Sequence, residues 1–407
     1  MGIIDTNGAA ISHADDIDLA DLTDVFGDNL AEEAVGPVAT VDREFAPWHH
    51  PVKQIVRQEQ WMAQMAAFLK DERAPRTIRY FTLPGPDLLD VRSLTEVAAP
   101  AGHKIEYFGF DSSGTGPDAP ENLQRFKMEA SLRQAGLITD NIIVHPDRLE
   151  DIALPTSLAA TELGSQAAFD IINIDGCDHL AYKAPGRVKT TFDALKVLIH
   201  HQAVRDRPWL LWITTRVSPE QMSDPMLQFQ QAIQSNCNES EDFTAALCEA
   251  LGIERANYAR EATRLWANGG EEAYLKLYTV GLSKYLLRLF HGQPNHPGNV
   301  ELACSYAYRV RDDAPDMIAV AYRITPKGRK LIEPGSPQQG HAPEVQHALK
   351  VVARAARLWN IDEAIQTDTG LRDDAATGMA KLLDGAGYNL DDWRDWVRSH
   401  PIRPLAI

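Results

Sequence analysis

From about residue 77 the chain alternates between short apolar runs and longer amphipathic stretches. The runs are 77–83 (TIRYFTL), 104–110 (KIEYFGF), 141–145 (NIIVH), 169–174 (FDIINI) and 208–214 (PWLLWIT). Between them, apolar residues recur at helical spacing near 87–98, 120–135, 147–165 and 186–203. Near-continuous apolar strands separated by crossover helices predict a parallel sheet buried on both faces. After Thr215 the pattern changes, and residues 218–290 predict helices throughout. "VELACSYAYRV" and "DMIAVAYRI" then flank "RDDAP", which predicts an antiparallel hairpin. Residues 343–398 return to helical spacing and end in "DDWRDWVRSH".

Ahead of the first strand, Pro51 suits a helix first turn. Val52, Ile55, Val56, Trp61, Met62, Met65, Phe68 and Leu69 trace an apolar face behind it. The organisation expected is an acidic arm over 1–46, a helix within 47–75, an α/β unit over 76–330 with its helical insertion at 218–290, and a helical extension over 331–407.

Charge narrows the function classes. The net charge is −17, and residues 1–46 carry eleven Asp and Glu against one Arg. Such an acidic excess opposes a sequence-independent grip on a phosphate backbone, while leaving room for a local basic surface. The arm reads either as a solvated tail or as a short docking helix. No apolar run reaches the roughly 18 residues of a membrane span, and no secretory signal is visible. Gly2 and Thr6 fit the loose myristoylation pattern, but the acidic segment that follows would be repelled by anionic lipid. Cys177, Cys237, Cys248 and Cys304 are scattered, which fits a reduced, cytoplasmic setting and disfavours a zinc cage.

Ligands of open α/β sheets lie beyond the carboxyl ends of the strands, so the residues that follow each strand are the candidates. "LPGPD" follows the first, with Gly85 its one glycine, Asp87 at a helix start, and two prolines that remove N–H donors. "FGFDSS" puts Asp111 after the second, where a carboxylate can accept both hydroxyls of a ribose or cap a helix. "VHPDRLEDI" puts Asp147 after the third, also suited to a helix first turn. "FDIINIDGCDHL" crowds Asn173, Asp175, Asp178 and His179 at the end of the fourth, and Thr214, Thr215 and Arg216 follow the fifth. Elsewhere, "PWHHP" with Lys53, Arg57 and Trp61 reads as a strand-stacking surface, a lid, or an apolar helix with a basic edge. His291 and His296 lack a third ligand for a metal. Walker, nucleophile-elbow and zinc-hydrolase motifs are absent.

This order, five parallel α/β units, a helical insertion and a final hairpin, resembles the class I S-adenosylmethionine-dependent methyltransferase superfamily over about residues 75–328. The resemblance implies a Rossmann-like, mostly parallel seven-stranded sheet with an antiparallel last hairpin and helical N- and C-terminal extensions. It implies S-adenosylmethionine as cofactor, with Gly85 and Asp87 at the methionine end, Asp111 at the ribose and Asp147 at the adenine. It places the acceptor at the end of the fourth strand, where Asp175, Asp178 and His179 would orient or deprotonate it. The chain departs from the family in its glycine-poor first turn and in lacking the Asn/Asp-Pro-Pro-aromatic signature for base amino groups. The acceptor is left open between nucleic acid and protein. The alternative is an inactive methyltransferase-like scaffold or partner subunit, homo-oligomeric or bound to another protein, using the acidic arm, Trp393 and Trp396 as contact surfaces.

Overall fold

In the computed structural model the described residues are 44–71, 74–112, 119–183, 185–219, 224–291, 297–311, 313–327 and 344–407. Residues 1–43, which hold nearly all of the acidic arm, and His296 lie outside them.

Five parallel strands form the centre of the sheet: β1 (Thr77–Thr82), β2 (Lys104–Phe110), β3 (Ile143–His145), β4 (Ile171–Asp175) and β5 (Trp209–Arg216). The expected hairpin is β6 (Gly298–Tyr308) and β7 (Met317–Pro326), with β7 antiparallel to β5. The order across the sheet is β3-β2-β1-β4-β5-β7-β6-β8. The eighth strand, β8 (Trp359–Asn360), adds two residues parallel to β6 at the edge. Two residues are too few to carry a period, so the sequence pattern yields seven strands where the sheet has eight.

Alternate residues of the strands feed two cores. Leu210 and Trp212 of β5, with Ala319 and Ala321 of β7, face one side; Leu211, Ile213, Val320 and Tyr322 face the other. The first side is covered by helix α1 (51–69), α2 (Leu89–Ala98), α3 (Pro120–Gln134) and the C-terminal α11 (Ile361–Thr367), α12 (Thr369–Asp384) and α13 (Leu390–Arg398). The second is covered by α4 (Leu158–Ser165), α5 (Thr191–His201), the insertion helices α6 (Asp224–Glu239), α7 (Glu241–Leu251), α8 (Tyr258–Asn268) and α9 (Glu272–His291), and α10 (Glu344–Ala355). Local chemistry sets several starts. Thr190 and Asp193 close a capping box on α5, and Asn360, Asp368 and Asn389 cap α11, α12 and α13. The helix expected over 147–165 breaks into a short 3-10 turn, Leu149–Ala153, and α4. Pro155 is the reason, since it disfavours helical backbone in Leu154 before it.

Helix α1 is α-helical over Pro51–Ile55, π-helical over Val56–Met62 and α-helical again over Ala63–Leu69. It lies on the sheet through Trp61, stacked on Trp212 with 6.1 Å between ring centres, and through Gln60, whose Nε2 donates to the Ala319 carbonyl at 2.9 Å. Its start is clasped by the far end of the chain. Trp393 Nε1 donates to the His49 carbonyl at 2.9 Å, and His50 Nε2 donates to the Arg403 carbonyl at 3.0 Å. Trp393 is therefore fully buried core, not a contact surface. Trp396 packs against Phe45 and His400.

The clasp needs two neutral histidines. His50 Nδ1 accepts from the Val52 N–H, and His400 Nδ1 accepts from the N–H groups of Ile402 and Arg403. Burial, with Arg403 nearby, holds His50 well below the ordinary histidine range and brings His400 down to about 4. Unfolded, both would titrate near pH ~6.5. Between those values the unfolded chain binds more protons than the folded one, so stability must fall as pH drops from about 6.5 towards about 4. Urea midpoints measured across that window should decline. His400→Gln, whose amide oxygen can still accept, should decline less steeply.

Candidate functional site

The carboxyl ends of β1 to β5, the start of α1 and the β6–β7 turn enclose a cleft of about 630 Å³. Gly85, Asp87, Asp111, Asp147, Asp175 and Asp178 all line it, and His179 does not.

The turn after β1 is built tightly. The Leu88 N–H donates to the Gly85 carbonyl at 3.1 Å, and Leu88 adopts left-handed backbone (φ 49°, ψ 39°) before α2 begins. That conformation costs a non-glycine residue about 1–2 kcal/mol, and complete burial of the Leu88 side chain offsets it. Pro84 packs directly on Gly109 of β2: a Cβ there would meet Pro84 Cδ and the Thr82 carbonyl oxygen, each at 2.6 Å. At Gly85 a Cβ would meet nothing within 4 Å. The close approach that shapes this turn therefore requires Gly109, while Gly85 leaves cleft space open. Asp87 is buried, and its carboxylate accepts from Gln124 Nε2 at 3.1 Å and Tyr388 Oη at 2.8 Å. It ties the turn to α3 and to the C-terminal extension.

Asp111 is held by Arg125 of α3, 3.3 Å from its Oδ2. Arg125 also lies 3.7 Å from Glu129, which accepts from Tyr107 Oη at 2.7 Å. Two carboxylates on one guanidinium fix where Asp111 points. Asp147 is the open member of the set, with its side chain 39% exposed. Its N–H donates to His145 Nδ1 at 3.3 Å.

At the end of β4, Asp175 is ion-paired to Lys53 of α1, whose ammonium also lies 4.8 Å from the Trp61 ring centre and 3.5 Å from Tyr308 Oη. Burial pulls the Lys53 ammonium below the ordinary lysine range, and Asp175 opposes the fall. One turn along, Arg57 lines the same wall. Beneath it Asp90 accepts from Tyr80 Oη at 2.7 Å and from the Thr82 hydroxyl, and Tyr80 Oη accepts from Asn173 Nδ2 at 2.9 Å. Asp178 faces solvent at the mouth, 3.7 Å from Arg311. Its carbonyl accepts from the Arg216 N–H and the Thr215 hydroxyl, pinning the 176–178 stretch to β5. Arg216 itself lies 3.4 Å from Asp316. His179 turns its ring edge to Tyr182, and burial lowers its pKa. Trp48, 43% exposed, stands at the rim.

The cleft therefore gathers acids from the segments after β1, β2, β3 and β4 and two buried cations from α1, one of them paired to Asp175. Lys53 and Arg57 belong to the basic edge visible in the sequence, but only the fold brings that edge against Asp175. Asp90 and Tyr308 carry no sequence signal: one sits inside an ordinary helix turn, the other inside an apolar strand. Among the described residues no group of three or more His, Cys, Asp and Glu could hold a metal ion, and no helix is long and apolar enough to cross a membrane.

Residues 42–398 match a family model described as PP_RS20740-like. No curated protein matches the chain. Among solved structures, it is similar to a protein from Listeria monocytogenes described as a class I S-adenosylmethionine-dependent methyltransferase. That match has 8% identity and a TM-score of 0.35, covering 84% of this chain and 74% of the other. It is also similar to a modification subunit of a type I restriction enzyme from Vibrio vulnificus, at 11% identity and TM-score 0.32, covering 76% of this chain and 50% of the other. A type I restriction-modification methyltransferase subunit from Streptococcus thermophilus matches at 11% identity and TM-score 0.31, covering 84% and 60%.

The packing of Pro84 on Gly109 yields a stability test. In Gly109→Ala the new methyl meets a proline ring and a carbonyl oxygen, so backbone must shift. A loss of about 1–3 kcal/mol is expected from urea denaturation. Gly85→Ala, with open space around it, should stay within about 0.5 kcal/mol of the parent.

Proposed function

The chain belongs to the PP_RS20740-like family, and from the chemistry of its cleft we propose that it binds S-adenosylmethionine and transfers the methyl group to an acceptor at the end of β4. One observation carries the reading: the segments after β1, β2, β3 and β4 each deliver a polar or small residue to a single cleft at the carboxyl edge of the parallel strands. That edge is where open α/β sheets bind ligands.

The residues present fit the cofactor. Asp111, oriented by Arg125, would accept the ribose hydroxyls, and Asp147 the adenine edge. The open space at Gly85 leaves room for the methionine part, in the same cleft as a buried guanidinium, Arg57, whose Nε has no hydrogen-bond partner. Bound there, the cofactor's sulfonium supplies an electrophilic methyl group. What remains for the protein is placement. Asp175, held by Lys53, and Asp178, at the open mouth, would accept a hydrogen bond or a proton from the acceptor's N–H or O–H. Asp87, engaged by Gln124 and Tyr388, acts as a positioning residue for the turn. His179 stands outside the cleft, so the acceptor end falls to the two aspartates. The acceptor would be a nucleic acid or a protein.

Two features favour a second reading, a methyltransferase-like scaffold without turnover. Pro84 and Pro86 offer no N–H to a ligand, and Lys53 already occupies Asp175.

Calorimetry with S-adenosylhomocysteine separates the two. Binding is expected, and ligand at about ten times its dissociation constant should add roughly 1.4 kcal/mol to stability. Asp111→Ala should weaken that binding about ten- to a hundredfold, the worth of charge-assisted hydrogen bonds to two hydroxyls. Were Asp111 only a structural partner of Arg125, the variant would lose stability and keep its affinity. No heat and no thermal shift at millimolar ligand would favour the scaffold. Labelled methyl transfer to total RNA, DNA and protein then identifies the acceptor.

A further inference from the structure

Helix α1 presents two cations to the cleft, four residues apart, and of the two only Lys53 makes a direct ion pair with a described carboxylate. Lys53 is paired with Asp175. Arg57 is 3% exposed and lines the same wall, yet it makes no ion pair with any described carboxylate. Its Nη2 donates to the Trp48 carbonyl at 3.1 Å and its Nη1 to Gln54 Oε1 at 3.4 Å, both neutral acceptors, and its Nε has no partner. Asp175 and Asp90 favour its charge only through space, since the direct partner of Asp175 is Lys53 and those of Asp90 are the Tyr80 and Thr82 hydroxyls. A guanidinium cannot escape burial by losing its proton. A buried guanidinium N–H with no acceptor is a donor left for a bound group to satisfy. Arg57 also lies in the π-helical stretch Val56–Met62, a local geometry that recurs at functional sites.

We propose that Arg57 receives an anionic group, a carboxylate or phosphate, of the molecule that occupies the cleft. The planar fork of arginine suits both groups. Two sources share this chemistry: the amino-acid carboxylate of the cofactor, which rests on the reading above, and a phosphate of the acceptor, which does not.

The test is calorimetry on the full chain and on Arg57→Gln and Arg57→Lys, with three probes. These are S-adenosylhomocysteine, 5′-methylthioadenosine, which lacks the amino acid, and inorganic phosphate, titrated with and without saturating S-adenosylhomocysteine. If the cofactor carboxylate is the partner, Arg57→Gln should lose about ten- to a hundredfold in affinity for S-adenosylhomocysteine. It should hold 5′-methylthioadenosine within about twofold, with Arg57→Lys in between. If the phosphate belongs to the acceptor, S-adenosylhomocysteine binding should be unchanged, and phosphate binding to the saturated protein should disappear in Arg57→Gln. Either result supports the proposal. It is overturned if a folded Arg57→Gln binds all three probes as the parent does. It is equally overturned, with no variant needed, if the parent binds both thioethers equally and phosphate not at all. If the parent binds neither thioether while its phosphate binding depends on Arg57, the cofactor reading fails and the anion site stands.

Discussion

The ion pair between Lys53 and Asp175 is the contact on which the site's architecture depends. It joins the N-terminal helix to the last residue of β4, at the one edge of the sheet where parallel strands leave their ends unfilled. A buried ammonium is tolerated only when its charge is matched and its stem is packed. Asp175 matches the charge, and the faces of Trp61 and Tyr308 lie against the ammonium. Trp61 in turn stacks on Trp212 of β5. Helix α1 is thereby a wall of the cleft, and the strand-four acid points across to it.

The layers around this pair have a common logic. The C-terminal helices pack into the same core as α1 and α2, and several polar contacts tie them there. Arg92 donates to the Leu382 carbonyl, Tyr388 and Gln124 to Asp87, and Trp393 to the His49 carbonyl. The insertion helices α6 to α9 cover the opposite face through apolar packing.

Much of this was legible in the sequence. Continuous apolar strands, crossover helices and the 300–324 hairpin follow from period and turn chemistry, which are local. So does the acid after each of β2, β3 and β4, because a strand end in an open sheet is a fixed place. What the sequence did not disclose was pairing across distance. Asp87 looked like a free helix-start acid and is tethered by Tyr388, 301 residues away. Trp393 looked like an amphipathic surface residue, and its indole is spent on the His49 carbonyl. The constrained glycine near the first turn proved to be Gly109, on the neighbouring strand, because the crowding comes from Pro84 across the sheet and not from neighbours in sequence. The π stretch in α1 and the two-residue β8 have no periodic signature to read.

The clasp over the start of α1 also has a consequence for how the protein is made. Its two hydrogen bonds join residues 344 and 353 positions apart. At about 5–20 residues per second, a ribosome needs roughly twenty seconds to a minute to cover that interval. Throughout it, the helix carrying Lys53 and Arg57 has been synthesised while its cover has not. Its apolar face and its two cations are then exposed to whatever else binds nascent chains. A message truncated before residue 389 would therefore yield a chain with its sheet strands present and the start of α1 without these two hydrogen bonds.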